Sequence, residues 1–161
     1  MDICKGGLII LDIQEQLVLV TGASRGLGRA IATAFRREGA RGVVNYFESK
    51  DQAEALVKEL GEERTIAIKG DVRSQADMDK LFEEAKENFG HPITTVVNNA
   101  LIDFKFNGDD RVPLEKMKWK DLSKQIEGNL RSALNTYHSA KKDMTEHGFG
   151  RIINIGTNLV Q

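Results

Sequence analysis

The chain has 161 residues, of which 40% are hydrophobic and 29% are charged, and its formal net charge is −1. This composition is typical of a single globular domain, and the balanced charge gives no support for nucleic acid or an anionic membrane as a partner. The longest aliphatic runs have four residues, whereas a membrane span needs about 20. The single cysteine, Cys4, excludes an internal disulfide, and we expect no metal site. Because the N-terminus lacks the pattern of a secretory signal, we expect a cytoplasmic protein.

Short apolar runs alternate with longer segments in which apolar residues recur at helical spacing. The runs predict five strands, at residues 17–20, 43–45, 65–68, 94–97 and 152–155. The first three intervening segments predict helices that end at Gly39, Gly61 and Gly90, the last of them after a capping box formed by Ser74 and Asp77.

A long helix is predicted from about Trp119 onward. Its apolar residues recur every three or four positions, so we expect them to face the core. They are Leu122, Ile126, Leu130, Ala133, Tyr137 and Ala140. The polar stretch 103–111 before this helix predicts a loop.

Five strands alternating with helices require a parallel sheet that is covered on both faces, because each crossover accommodates a helix. We therefore predict an α/β fold, a Rossmann-type doubly wound parallel sheet that is truncated after the fifth strand. Residues 1–10 are expected to be a short N-terminal extension. Residues 11–161 are expected to form the dinucleotide-binding domain, incomplete at its C-terminus.

The turn between the first strand and the first helix is rich in glycine. It runs Thr-Gly-Ala-Ser-Arg-Gly-Leu-Gly over residues 21–28. A glycine loop at a helix N-terminus offers backbone N–H donors and a positive field to a pyrophosphate. The alternative is a tight turn that needs glycine only for its backbone conformation.

Four further motifs resemble the short-chain dehydrogenase/reductase family at matching positions. They are Asp71-Val72 after the third strand, Asn98-Asn99-Ala100 at the end of the fourth, Asn129 in the long helix, and the strand at 150–155. The overall sequence is most similar to the 3-oxoacyl-[acyl-carrier-protein] reductases. The resemblance implies that the chain reduces a carbonyl to a hydroxyl, on a small substrate that is free or bound to an acyl carrier.

The resemblance also implies which residues form the site. Asn129 and Thr157 correspond to the catalytic asparagine and serine, although threonine replaces serine and its β-methyl restricts χ1. A second departure is Leu101, which replaces the glycine of the Asn-Asn-Ala-Gly motif. The implied cofactor-binding residues are Gly22, Ser24, Arg25, Gly26, Leu27, Gly28, Asn45, Tyr46, Asp71, Val72, Asn99 and Ala100.

The end of the second strand predicts NADP(H) rather than NAD(H). An NAD enzyme places a carboxylate there for the ribose 2′-hydroxyl, whereas this strand ends with the neutral residues Asn45 and Tyr46. Arg25, inside the glycine loop, is able to bind a 2′-phosphate through paired charged hydrogen bonds. The alternative is that Arg25 is simply a solvated loop residue.

In relatives, the tyrosine of a Tyr-x-x-x-Lys motif protonates the substrate oxygen, and the lysine lowers the pKa of that tyrosine. The motif lies on a helix beyond the serine strand. This chain ends at Gln161, so we expect that pair to be absent, and the matches at Tyr46/Lys50 and Tyr137/Lys141 do not lie at the required position. Two functions remain open: a carbonyl reductase, and an inactive truncated fold that binds nucleotide or assists assembly. We also expect homo-oligomers that bury the long helix and the fifth strand.

Overall fold

The computed structural model describes residues 11–101 and 113–156. Within these residues, five parallel strands form one sheet in the order β3-β2-β1-β4-β5. The strands are β1 (Leu17–Val20), β2 (Arg41–Tyr46), β3 (Thr65–Lys69), β4 (Thr95–Asn98) and β5 (Arg151–Asn154). The predicted doubly wound α/β fold is confirmed. Each observed strand begins and ends within two residues of its predicted bounds.

Helices connect the strands and cover both faces of the sheet. They are α1 (Gly26–Arg37), α2 (Lys50–Leu60), α3 (Gln75–Phe89), α4 (Trp119–Ile126) and α5 (Ser132–His147). A π-helical turn, Glu127–Arg131, joins α4 to α5. Short 3₁₀ turns lie at Ile13–Glu15 and Leu114–Lys116. None of the helices in the described ranges is long and apolar enough to cross a membrane.

The strands are apolar on both sides because each face packs against helices. On one face, Val18, Val20 and Val44 pack with buried residues of α1 and α2. On the other face, Leu17 and Leu19 pack with α3, whose Met78, Leu81, Phe82 and Ala85 are all buried. The sheet is thus held between two apolar layers, and its strand ends are fixed in position.

The capping prediction for α3 is partly confirmed. The side chain of Ser74 accepts a hydrogen bond from the backbone N–H of Asp77 at 3.2 Å. The carboxylate of Asp77 bonds to the backbone N–H of Asp71, not to that of the cap residue, at 2.9 Å. The cap therefore also fixes the segment that follows β3.

The prediction of the buried face of the long helix was wrong. Leu122, Ile126, Leu130 and Tyr137 are between 40% and 67% exposed, and of the predicted stripe only Ala140 is fully buried. The buried face of α5 is instead small and largely polar: Ser132, Asn135, Thr136 and Ala140.

Hydrogen bonds explain why this polar face packs inward. Asn135 donates to the carbonyl of Val72 at 3.0 Å, and Thr136 donates to the side chain of Asn98 at 2.9 Å. The apolar residues of the same helix consequently point away from the sheet.

The remaining predictions for the N-terminal extension, Cys4, the loop at 103–111 and Thr157 lie outside the described residues.

Candidate functional site

A cleft of about 900 Å³ lies at the carboxyl ends of the strands. The sheet order changes direction between β1 and β4, because β2 and β3 lie to one side of β1 and β5 lies beyond β4. Such a switch point leaves a crevice in an open α/β sheet, where ligands bind. All twelve residues predicted to bind the cofactor line this cleft: Gly22, Ser24, Arg25, Gly26, Leu27, Gly28, Asn45, Tyr46, Asp71, Val72, Asn99 and Ala100.

The glycines of the loop meet different structural requirements. Gly22 and Gly26 have φ of +61° and +57°, a conformation that other residues rarely adopt. A Cβ on Gly28 would lie 2.5 Å from the amide nitrogen of Asn99 and 2.6 Å from the carbonyl of Gly22. A Cβ on Gly26 would meet no atom within 4 Å. Gly28 therefore permits close packing, whereas Gly26 leaves backbone at the N-terminus of α1 accessible to a ligand.

Asn45 holds the glycine loop against the ends of β2 and β3. Its backbone carbonyl accepts from the N–H of Ala23 at 3.0 Å, and its side-chain oxygen accepts from the N–H of Gly22 at 3.3 Å. Its amide group donates to the carbonyl of Gly70 at 3.0 Å and to that of Ile68 at 3.4 Å. Asn45 borders the cleft, and its side chain bonds within the protein, where it fixes the glycine loop.

Asn99 and Thr21 fix the opposite wall of the cleft. The hydroxyl of Thr21 accepts from the backbone N–H groups of Asn99 and Ala100, both at 3.0 Å. The side-chain amide of Asn99 donates to the carbonyl of Thr21 at 3.0 Å. The end of β4 is thereby fixed directly beside the glycine loop.

Arg25 stands at the start of α1, where it is the exposed cap residue. Ser24 and Tyr46, both largely buried, also line the cleft. The positive end of α1 and the residue Arg25 therefore both border the cleft, an arrangement that favours anions.

Phe47 and Arg73 also line the cleft and were not among the residues predicted from the sequence. The guanidinium of Arg73 bonds to the carboxylate of Asp71, with Nη2 to Oδ2 at 2.6 Å and Nε to Oδ1 at 2.9 Å. It also lies 5.8 Å from the centroid of the Phe47 ring. The hydrogen bond from Arg73 is the main cause that holds the pKa of Asp71 below its ordinary value. The sequence signal that could have identified Arg73 was its position two residues after Asp71.

Asn129 lies in the π-helical turn, exposed, and its side-chain amide donates to the carbonyl of Gln125 at 2.9 Å. π turns are rare and often occur at functional sites. Asn129 is not among the residues that line the cleft, whereas Leu101 and Ile155 are. Its catalytic role stays a prediction.

Neither Tyr-x-x-x-Lys match places both side chains in the cleft. Tyr46 lines it, but Lys50 begins α2 and pairs with Glu54 at 3.4 Å. Tyr137 and Lys141 lie along α5, with the ammonium 5.9 Å from the ring centroid. Across the described residues, no group of three or more His, Cys, Asp or Glu side chains is arranged to hold a metal ion.

Residues 16–160 match the short chain dehydrogenase family. The chain is 32% identical over 163 residues to an NADPH-dependent aldehyde reductase 2, chloroplastic, of Arabidopsis thaliana, and the match covers 94% of this chain and 58% of that protein.

Two solved structures are similar to this one. A short chain dehydrogenase from Bacillus anthracis is 30% identical with a TM-score of 0.77, covering 88% of this chain and 57% of the other. A blue fluorescent protein from a metagenomic library, in complex with NADPH, is 32% identical with a TM-score of 0.77, covering 92% and 58%. The chain therefore spans little more than half the length of these relatives. The Arabidopsis relative is NADPH-dependent and the blue fluorescent protein is in complex with NADPH, which is the cofactor that the sequence of this chain predicts.

Proposed function

Because the chain belongs to the short-chain dehydrogenase family, we propose that its cleft binds NADP(H) and serves the reduction of a carbonyl group. The observation that supports this most is Gly26: its backbone opens the N-terminus of α1 to the cleft, and a Cβ there would meet no atom within 4 Å. Such a cradle fits a pyrophosphate, which needs N–H donors and close approach.

Other residues along the same cleft suit the 2′-phosphate and the adenine of the dinucleotide. Arg25 would bind the 2′-phosphate, since the end of β2 carries the neutral residues Asn45 and Tyr46. The adenine would lie towards Asp71 and Val72 at the end of β3. NADPH would supply the hydride, and these residues would bind and orient the dinucleotide.

The test is calorimetric titration of the chain with NADPH and NADH. We expect tighter binding of NADPH, and we expect Arg25→Ala to reduce that preference about tenfold, since charged hydrogen bonds to phosphate are among the stronger ones. Arg29→Ala is the matched control, because Arg29 belongs to the same helix but pairs with Glu59 at 2.5 Å. Tighter binding of NADH would contradict the proposal.

The substrate that we propose is a 3-oxoacyl compound, free or carried by an acyl carrier, with Thr157 and Asn129 as catalytic residues. The hydroxyl of Thr157 would donate a hydrogen bond to the substrate carbonyl. The experiment is a turnover assay that follows NADPH absorbance with a 3-oxoacyl thioester and with a simple aldehyde. Because no Tyr-x-x-x-Lys pair reaches the cleft within the described residues, the alkoxide left by hydride addition would take its proton from water, and we expect turnover to be slow. Slow turnover that is faster for the thioester than for the aldehyde, lost in Thr157→Val and kept in Thr157→Ser, is the expected result. Preference for the aldehyde would overturn the assignment of substrate.

A second candidate is a nucleotide-binding partner that performs no chemistry. It is favoured by the absence, within the described ranges, of a Tyr-x-x-x-Lys pair that reaches the cleft, and by the exposed apolar residues of α4 and α5. Binding of NADPH without turnover of either substrate, together with self-association in sedimentation, would favour this candidate over the reductase.

A further inference from the structure

Four charged side chains line the cleft among the described residues. Two are cationic, Arg25 and Arg73, and two are anionic, Glu48 and Asp71. A dinucleotide with a 2′-phosphate brings several negative charges into this space. Each carboxylate that borders the cleft therefore opposes binding unless a cation compensates it.

The carboxylate of Asp71 is compensated by a close and well-formed pair. Arg73 donates to it through Nε, at 2.9 Å and 3.1 Å to the two oxygens, through Nη2 at 2.6 Å, and through its backbone N–H at 2.9 Å. The side chain of Asp71 is 19% exposed and that of Arg73 is 36% exposed. Phe47 lies beside the guanidinium, 5.8 Å away at its ring centroid, and favours its position through a cation–π contact.

This pair lies where the ends of β2 and β3 meet, because Phe47 follows β2 directly and Asp71 follows β3 closely. We propose that Arg73 is a positioning residue that determines cofactor preference: by pairing with Asp71, it removes the repulsion that this carboxylate would exert on a 2′-phosphate. The inference rests on the proposed binding of NADP(H) and names a second arginine, besides Arg25, on which the preference depends. The lowered pKa of Asp71 agrees with it, since the carboxylate stays charged in the cleft and requires compensation.

The experiment uses two probes that share their adenosine contacts and differ only in the 2′-phosphate: 2′,5′-ADP and 5′-AMP. The ratio of their dissociation constants cancels any general change in the cleft. In Arg73→Gln we expect the preference for 2′,5′-ADP to fall about tenfold at low ionic strength, and the fall to shrink in 1 M salt, because screening weakens charge repulsion. Arg73→Lys keeps the charge and is expected to retain most of the preference.

The double variant Arg73→Gln with Asp71→Asn decides how Arg73 acts. If Arg73 acts by compensating Asp71, then removing both charges restores most of the preference that Arg73→Gln loses. A loss that the double variant does not restore would mean that Arg73 contacts the phosphate itself, which would overturn the proposal. A preference that stays unchanged in Arg73→Gln, with both probes weakened equally, would overturn it as well.

Failure of the proposed function is distinguishable from failure of the inference about Arg73. If the unsubstituted chain binds neither probe, or binds both equally, the assignment of NADP(H) fails and the inference fails with it. If the unsubstituted chain prefers 2′,5′-ADP and Arg73→Gln retains that preference, only the inference fails. Circular dichroism of each variant verifies that the fold is retained before the ratios are compared.

Discussion

β1 and β5 belong to the same sheet and have opposite surroundings. All four residues of β1 are buried, and the strand pairs with β2 on one side and β4 on the other. In β5 three of four residues are exposed, and among the described residues the strand pairs only with β4. The helical segments show the same contrast, because α2 buries Leu56 and Val57, whereas Leu130 in the π turn and Leu134 in α5 are 67% and 52% exposed.

The difference separates a nucleotide half, β1 to β3 with α1 and α2 (residues 17–69), from an outer edge, which consists of β5 and the exposed residues of α4, the π turn and α5. The nucleotide half buries its own apolar residues and holds the glycine loop with internal hydrogen bonds. The outer edge presents apolar side chains and a strand edge, which are features of a surface that contacts something else. We therefore expect cofactor binding and stability to depend on the nucleotide half, and association to depend on the outer edge.

The largest expected effect contrasts two leucines. Leu19→Ala in β1 removes a fully buried side chain and is expected to lower the free energy of unfolding by about 3 kcal/mol. Leu130→Ala at the outer edge is expected to change it by less than about 0.5 kcal/mol. Urea unfolding at two protein concentrations measures both. Equal costs for the two substitutions would show that the outer edge is as buried as the core.

A substitution with a smaller expected effect on stability tests the contact between the nucleotide half and the end of β4. Gly28→Ala would place a Cβ 2.5 Å from the Asn99 side chain, and we expect a loss of about 2 kcal/mol through overpacking together with weaker NADPH binding. Gly42→Ala is the matched control, since its Cβ would meet the Thr65 methyl group at an ordinary 3.4 Å. If Gly28→Ala left both stability and binding unchanged, the loop would be looser than described.

The next effect concerns the caps of two helices. Ser74 accepts a hydrogen bond from Asp77 at the start of α3, whereas Ser49 makes no side-chain cap bond at the start of α2. Ser74→Ala is therefore expected to lower the free energy of unfolding by about 1 kcal/mol, and Ser49→Ala to lower it by less. Thermal unfolding followed by circular dichroism compares them, and the reverse order would contradict the described caps.

The smallest effect depends on pH. His91 contacts Arg41 through Nε2, and its Nδ1 donates to the Pro92 carbonyl at 3.2 Å, which fits a neutral ring. Burial, followed by the nearby charges of Arg41 and His147, lowers the pKa of His91 below 6.5. The folded state thus binds this proton less readily than the unfolded chain does.

The contribution of His91 to stability should consequently be full above pH 6.5, the ordinary pKa of an imidazole, and should be lost progressively as the pH falls below that value. Unfolding of the unsubstituted chain and of His91→Gln between pH 7.5 and pH 5 measures the difference. A decline of equal size in both proteins would show that His91 does not contribute to it.

The strands and the glycine loop were predictable because their signals are local. Leu17 to Val20 is a short apolar run, Gly22 and Gly26 occupy positions where φ is positive, and Gly90 ends α3 in the left-handed conformation. In each case the residue type is nearly sufficient to specify the backbone.

The buried face of α5 was not predictable in this way. Periodic leucines indicate one apolar face but not whether the sheet or something else covers it. The sheet side of α5 is polar because Asn135 and Thr136 find partners in Val72 and Asn98, which are distant in sequence. The π turn also changes the helical period between α4 and α5. Arg73 was missed for a related reason, since its approach to Phe47 depends on how β2 and β3 are placed.

The central claim, that the nucleotide half binds NADP(H) at the glycine loop, is tested most directly by backbone amide NMR during titration with NADPH. We expect the largest chemical-shift changes at Gly26 and Arg25, smaller changes near Asn45 and Asp71, and little change along α5. Shifts confined to α4 and α5, or no shifts at saturating NADPH, would contradict it.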